Sequence, residues 1–296
     1  MSGLLEETTW SHLLERISKQ RCLPFLGAGA SVPAIPPASI IAAAWAKKYN
    51  YPGDNPTNLV EVAQFLAVQF GPLTPKEEIV KQLDCVVPPD FSAADEPHGL
   101  LADLPLLIYL TTNYDDFMVR ALKSRHRDPH RDLCRWWNRA GNYSDPPEDN
   151  PCDFQPTLSN PLVFHLHGHT IPESIVVTED DYLSFIREVT MNRTQLLPTC
   201  IELIPRYSPL LFIGYRLADW DFRLLLQTWQ GEQIPKLTGT SIAVLKPPGD
   251  DDLARRQREY LNKYYAAMKL EIYWGTAREF AAELRDRWNK FESGSA

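Results

Sequence analysis

The sequence predicts an α/β protein: a doubly wound parallel sheet of about six strands, with a helical module and a long insertion. Three observations predict it. Short, continuously apolar runs recur along the chain, as strands buried on both faces do. Segments of helical period separate them, the strand–helix alternation of a parallel sheet. Most of the apolar runs also end in glycine or short polar residues: Gly27-Ala28-Gly29-Ala30-Ser31, Thr111-Thr112-Asn113-Tyr114-Asp115, His165-Leu166-His167-Gly168-His169, Gly214-Tyr215 and Gly275-Thr276. Sheets of this kind bind ligands outside the carboxyl ends of their strands.

The elements follow in order. Residues 4–20 place Trp10, Leu13, Leu14 and Ile17 near one helical face. Cys22–Leu26 reads as the first strand, although Pro24 cannot donate to a ladder and needs a gap beside it. A helix begins at Ser39, a second follows Asn55-Pro56 and ends at Gly71, and a third covers Lys76–Leu83; the helical module is placed at about 38–100. Leu104–Leu110 reads as a buried strand, followed by a helix over Phe117–Leu122. Residues 123–160 have no apolar period and are read as an insertion or long loop. Leu162–Phe164 is the third strand. Thr178-Glu179-Asp180-Asp181 has capping-box spacing and opens a helix, with another near 194–204. Leu210–Ile213, Ile242–Leu245 and Glu271–Tyr273 complete the strands. Helices are expected over Trp220–Gln230 with Asp219 as cap, at about 251–268, and over Ala277–Phe291. Residues 1–291 are taken as one domain and 292–296 as a linker-like tail.

Composition narrows the class. Of 296 residues, 44% are hydrophobic and 23% charged, and no apolar run approaches the ~20 residues of a membrane helix. The acidic N-terminus lacks the basic start of a signal peptide, so a cytoplasmic location is expected. Five dispersed cysteines form no Cys-x-x-Cys pair, which argues against a disulfide framework and a structural zinc site. A net charge of −8 argues against nucleic-acid binding over the whole surface. Between Arg120 and Arg139, five basic residues (Lys123, Arg125, Arg127, Arg131, Arg135) interleave with Trp136 and Trp137. A solvated surface insertion is the first reading of that stretch, a protein interface the second, and direct nucleic-acid binding is not expected.

The loops suggest a nucleotide. A strand running into Gly27-Ala28-Gly29-Ala30-Ser31 lets backbone amides approach a pyrophosphate. The hydride-transfer fingerprint wants a third glycine where Val32 stands and an acidic residue about 20 residues on, near Lys47 and Lys48. Asn113 can orient water or a ribose hydroxyl, and Asp115 can accept from an amide; either could instead cap the following helix. The histidines at 165, 167 and 169 would share one face if the strand continued. Metal binding, catalysis by His167, or a core role for His165 with a surface role for His169 all remain open. Gly214 permits close approach, and Tyr215 can stack on or bond a sugar or base.

These motifs, in this order and spacing, resemble the Sir2 (sirtuin-like) family, from about residue 22 to 290. Thr-Thr-Asn-Tyr-Asp-Asp at 111–116 is closest to the bacterial branch found in antiphage defence. The resemblance implies a Rossmann-like NAD-binding fold and cleavage of the nicotinamide–ribose bond, with NAD as substrate and no metal. It implies catalytic roles for Asn113 and His167, and cofactor contacts from Gly27, Ala28, Gly29, Ser31, Thr111, Asp115, Gly214, Tyr215 and the adenine-side Gly275. The paired Cys-x-x-Cys zinc module of deacylase sirtuins is absent, which favours hydrolysis of NAD+ itself over deacylation or ADP-ribosyl transfer. A non-catalytic nucleotide sensor is the alternative from another class. The family pairs such domains with an Argonaute, a HerA-type ATPase or a STAND module, so gating by a partner or a homo-oligomer is expected. Alanine at Asn113 or His167 is expected to abolish NAD+ loss with the fold intact.

Overall fold

The structure, a computed structural model, describes residues 5–137, 154–202, 209–215, 240–249 and 251–294. The helix expected over Trp220–Gln230 with its Asp219 cap, the middle of the 123–160 segment and the last two residues of the tail lie outside them.

Seven strands form one fully parallel sheet: β1 (Leu23–Leu26), β2 (Ile108–Thr111), β3 (His130–Leu133), β4 (Leu162–His165), β5 (Leu210–Ile213), β6 (Ser241–Leu245) and β7 (Leu270–Trp274), in the order β3-β4-β2-β1-β5-β6-β7. The chain runs outward from β1 through β2 to β3 and β4, then returns beside β1 to start β5. The strand order reverses between β1 and β5, and that reversal opens a crevice at their carboxyl ends.

Alternation along each strand divides the core. Leu26, Tyr109, Val163, Ile213, Val244 and Tyr273 face α1 (Glu7–Ser18), α5 (Pro97–Asp103), α6 (Phe117–Ser124) and α11 (Ala277–Glu292). Phe25, Leu110, Phe164, Phe212, Ala243 and Ile272 face α7 (Glu179–Met191), α8 (Arg193–Leu196), α9 (Thr199–Glu202) and α10 (Asp252–Ala266). Apart from β3 the strands are largely apolar because both faces are covered. Leu23 and Gly27 donate to carbonyls on the β5 side, so the alternation points position 24 toward β2. Pairing with β2 starts only at Phe25, and Pro24 sits below it, where no ladder bond is lost.

The helical module is α2 (Ala38–Lys48), α3 (Leu59–Phe70) and α4 (Thr74–Asp84), which share a separate core with Ile175 and Val177. Its boundary differs from the expected 38–100. Residues 97–103 form α5, which packs in the sheet's own core. The second helix of the module is capped by Asn58, whose Oδ1 accepts from the Val60 amide at 3.1 Å, and not by Asn55. Of the apolar run 104–110, only 108–110 is strand. The earlier part is extended chain whose carbonyls at Leu104 and Leu106, with that of Ala102, are taken by the Arg127 guanidinium.

The 123–160 segment is not simply a surface insertion. It contributes the edge strand β3, Trp136 is buried with Nε1 donating to the Ser174 carbonyl at 3.0 Å, and Trp137 packs on the same core. Its cations are engaged internally: Arg125 with Asp103, Arg127 with carbonyls, Arg131 with His169 and Arg135 with Asp132. Basic and aromatic residues were uninformative there because guanidinium groups satisfying backbone carbonyls leave no periodic pattern.

A buried ion pair joins module to sheet. Lys76 of α4 lies 2.6 Å from Asp181 of α7, with its ammonium 5.5 Å from the Trp136 ring centre. Asp181 also receives the Val177 and Thr178 amides and completes the capping box with Thr178. Removing one partner of a buried pair leaves a charge without compensation. Lys76→Met is therefore expected to lower unfolding stability by about 3–5 kcal/mol in urea titration; a loss within experimental error would show that the pair does not hold the module down.

Candidate functional site

The loop after β1 folds into a 3₁₀ turn over Ala28–Ala30 and packs directly on the loop after β5. Gly27 and Gly29 donate to the carbonyls of Ile213 and Gly214 at 2.9 and 2.8 Å. Gly214 sits at φ +85°, and a Cβ there would come 2.3 Å from the Ala30 nitrogen. Only glycine combines that backbone with that contact. Ala30 and Ser31 donate back to Gly27 and Ala28 within the turn. Four of the five loop amides are thus used inside the protein, which narrows the amides of 27–31 open to a ligand. The Ala28 amide is the one without a partner among the described residues.

Asn113, two residues past β2, locks this arrangement. Its Nδ2 donates to the Gly27 carbonyl and to the Ser31 hydroxyl, each at 3.0 Å, and Ser31 donates to Asp115 Oδ2 at 2.7 Å. The amide donors are fully used, leaving Oδ1 as an acceptor. Asp115 Oδ1 accepts from the Phe117 amide at 3.1 Å, so this carboxylate does serve the start of α6 as well as lining the cavity. Burial is the largest influence on it and raises its pKa; His98 and the Ser31 hydroxyl pull the other way. Thr111 braces the strand end: its hydroxyl donates to the Leu26 carbonyl at 3.3 Å and accepts from the Asn113 amide at 2.9 Å. The Tyr215 hydroxyl donates to the same carbonyl at 3.0 Å and takes the Thr112 hydroxyl at 2.8 Å.

The three histidines part company. β4 ends at His165, and the chain turns at Gly168, where φ is +86° and a Cβ would meet the Ser174 carbonyl at 2.3 Å. His165 faces inward with Nδ1 on the Asn113 carbonyl at 3.0 Å. His169 is buried, not on the surface as expected. It bonds Thr170 and Arg131, and its ring stands against His165 at 4.8 Å. His167 alone reaches the cavity. Its ring packs edgewise on Tyr182 and Phe185 at 5.5 and 4.9 Å, and its Nε2 is buried without a hydrogen-bond partner. The Nε2 of His165 is also buried without a partner among the described residues, but only His167 lines the cavity. Among the described residues, no group of three or more His, Cys, Asp or Glu side chains converges on a metal position.

Two cavities meet at this point. One, of about 530 Å³, is lined by Ser31, Asn113, Asp115 and His167 and roofed by α2 and α4. The other, of about 440 Å³, reaches Gly29, Lys246, Gly275 and Arg278 at the ends of β6 and β7. Ala28, Ala38, Gly214 and Tyr215 border both. Each lies in the ~300–1,000 Å³ range of small-molecule sites. Of the residues expected at a site, Ala28, Ser31, Asn113, Asp115, His167, Gly214 and Tyr215 are brought together around the first cavity, and Ala28, Gly29, Gly214, Tyr215 and Gly275 around the second. Gly27 and Thr111 line neither. Thr112, within the strand-end motif 111–115, lines the first cavity as well; Tyr182, Glu78 and Lys246 line the cavities without having been singled out, and of these only the place of Lys246, just past a strand, offered a signal.

The reversal of strand order, the glycine contact and the paired cavities form the switch-point crevice at which doubly wound α/β proteins bind ligands. Residues 107–272, more than half of the chain, match the family described as SIR2-like domain, and the chain belongs to that family. It is also 24% identical over 227 residues to the NAD(+) hydrolase ThsA of Acinetobacter baumannii (strain 532279). The similarity takes in 72% of this chain and 40% of that relative, so the chain spans well under two thirds of the protein it matches. Among the described residues no helix is long and apolar enough to cross a membrane.

Burial holds the imidazoles of His165 and His167 down to about 3 and, with help from Arg131, that of His169 to about 4. Unfolded histidine titrates near ~6.5, so between these values the unfolded chain binds more protons. Stability is complete above pH ~6.5 and falls as pH drops toward 4 and then 3, at ~1.4 kcal/mol per unit for each group. His165→Gln is expected to make the loss between pH 6 and 4.5 shallower by about 2 kcal/mol in denaturant titrations. An unchanged slope would mean His165 is not held neutral by burial.

Proposed function

We propose that this chain hydrolyses NAD+ to nicotinamide and ADP-ribose. The observation that carries the reading is the unpartnered, buried Nε2 of His167, set in the same cavity wall as the Asn113 amide and the Asp115 carboxylate. The SIR2-like family and the NAD(+) hydrolase relative support it.

The chemistry needs little from the protein besides placement. Nicotinamide in NAD+ is a cationic leaving group, and its departure puts positive charge on the ribose. The Ala28 amide, at the border of both cavities, meets the pyrophosphate. Asn113 Oδ1 accepts from the attacking water or a ribose hydroxyl, Asp115 accepts from the carboxamide, and Tyr215 flanks the sugar. His167 receives the proton as water bonds to the anomeric carbon. Burial keeps it unprotonated at any pH well above about 3, so Nε2 can accept a hydrogen bond from the attacking water, and the positive charge developing on the ribose acidifies that water enough for so weak a base to take its proton. The α2–α4 roof keeps bulk water away.

Unrestrained NAD+ loss would harm the producing cell. We therefore read the chain as a gated effector of antiviral, abortive-infection defence. It would act in the cytoplasm and be switched by self-assembly or by a partner such as a HerA-type ATPase, an Argonaute or a STAND module.

Incubation of purified protein with NAD+ is expected to release nicotinamide and ADP-ribose in equal amounts. His167→Ala breaks no hydrogen bond of its side chain among the described residues and is expected to slow release at least ~100-fold with the fold intact, at a cost of about 2–4 kcal/mol for the packing lost on Tyr182 and Phe185. Asn113→Ala is expected to slow release comparably but also to loosen the β1 loop, because it frees the Gly27 carbonyl and Ser31 hydroxyl. The sequence-based expectation of an intact fold thus applies to His167 only. NAD+ binding without turnover in every assembly state would favour a sensor, and release only with an acylated peptide a deacylase. From pH 8 to 5.5 the rate of nicotinamide release is expected to stay flat, since His167 does not titrate there; a fall centred near 6.5 would contradict its buried, neutral state.

A further inference from the structure

The hydrolase reading leaves one feature of the groove unused. Among the described residues the second cavity is lined by two charged side chains, Lys246 and Arg278, and both are cations; no carboxylate is among them. The first cavity holds Glu78, Lys81 and Asp115. On a chain of net charge −8, a wall whose charged groups are both positive is a local reversal.

Lys246 is the first residue beyond β6, and it is exposed with no ion-pair or hydrogen-bond partner among the described residues. The end of β6 is fixed beside that of β7 by the Gly275 amide on the Leu245 carbonyl at 2.8 Å. Arg278 is held from the far side. Its Nε and Nη2 each bond Asp95 at 2.7 Å, which orients the guanidinium and leaves Nη1 outside the pair. A guanidinium held by Asp95 and an ammonium without an ion-pair partner among the described residues line one cavity, and these are the two side-chain types that meet phosphate oxygens.

With nicotinamide and its ribose beside His167 and the pyrophosphate at Ala28, the adenosine half of a dinucleotide falls in this second cavity. Adenine and an unmodified ribose are neutral and need no cation. We propose that the chain uses a 2′-phosphorylated dinucleotide, NADP+, in preference to NAD+, with Lys246 and Arg278 Nη1 meeting the 2′-phosphate. The proposal rests on the hydrolase reading for the ligand's orientation. The reaction balances as NADP+ plus water giving nicotinamide, 2′-phospho-ADP-ribose and a proton. The C1′–N bond breaks with its electron pair going to nicotinamide, and the water oxygen bonds C1′.

The test compares kcat/KM for NADP+ and NAD+ in the unmodified protein, Lys246→Gln and Lys246→Arg. The unmodified protein is expected to favour NADP+ by about tenfold, the range of one charge-assisted contact. Lys246→Gln is expected to reduce that ratio about tenfold, and Lys246→Arg to restore it. A preference for NAD+ in the unmodified protein, or equal losses for both substrates in Lys246→Gln, overturns the proposal. Titration with 2′-phospho-ADP-ribose and ADP-ribose separates the two readings if neither dinucleotide is cleaved. Tighter, Lys246-dependent binding of the former sustains the phosphate site while the hydrolase reading fails, and equal binding overturns the site itself.

Discussion

The site depends on the contact between two backbones. The loop after β1 lies on the loop after β5 so closely that the Gly29 amide reaches the Gly214 carbonyl at 2.8 Å and no side chain fits between them. These strands are neighbours only because the chain reverses direction across the sheet at that place. Asn113, arriving from β2, ties the contact from the side through the Gly27 carbonyl and the Ser31 hydroxyl. Three strand ends are thereby fixed relative to one another before any ligand is present, the preorganisation that a site needs if binding is not to be weakened by ordering its own walls.

That arrangement has a consequence for how an anion is met. The glycine loop resembles an amide cradle in sequence, yet most of its amides stitch the protein together. That leaves the Ala28 amide and, further along the groove, Lys246 and Arg278 as the groups placed to meet a negative charge. At the opposite end the groove presents an imidazole kept neutral by burial, with an unpaired nitrogen. Such a group is costly in a folded protein. Its ring is clamped between Tyr182 and Phe185, its carbonyl takes the Val176 amide at 3.1 Å, and the Tyr114 hydroxyl holds the Val176 carbonyl at 2.5 Å. The helical module, pinned through Lys76 and Asp181, closes over the same wall.

Much of the fold was legible because buried parallel strands are written as short apolar runs and their ends as glycine, Thr, Asn and His. Phe25 and Phe212 sit within such runs, and Asn113, His167 and Gly214 mark their ends. What escaped was whatever depends on partners distant in sequence. β3 carries the run His130-Arg131-Asp132-Leu133, which has no apolar signature because its first two residues lie exposed at the sheet's edge. Leu104 looked like strand but closes α5, its carbonyl satisfied by Arg127 from beyond α6. His169 looked like a surface residue but is covered by His165 and Arg131. Within the site, spacing brought forward Asn113 and His167. It was silent on Tyr182 and on the α4 side chains, which meet the cavity only through the packing of the module.

The most direct test of the hydrolase account is to follow NAD+ turnover in water enriched in oxygen-18. Mass spectrometry at early times is expected to find nicotinamide unlabelled and ADP-ribose gaining one heavy oxygen at its anomeric carbon faster than ADP-ribose added to the same water, whose anomeric hydroxyl exchanges only through ring opening. Nicotinamide appearing without ADP-ribose, or NAD+ bound and recovered intact from the protein in its active assembly, would contradict it.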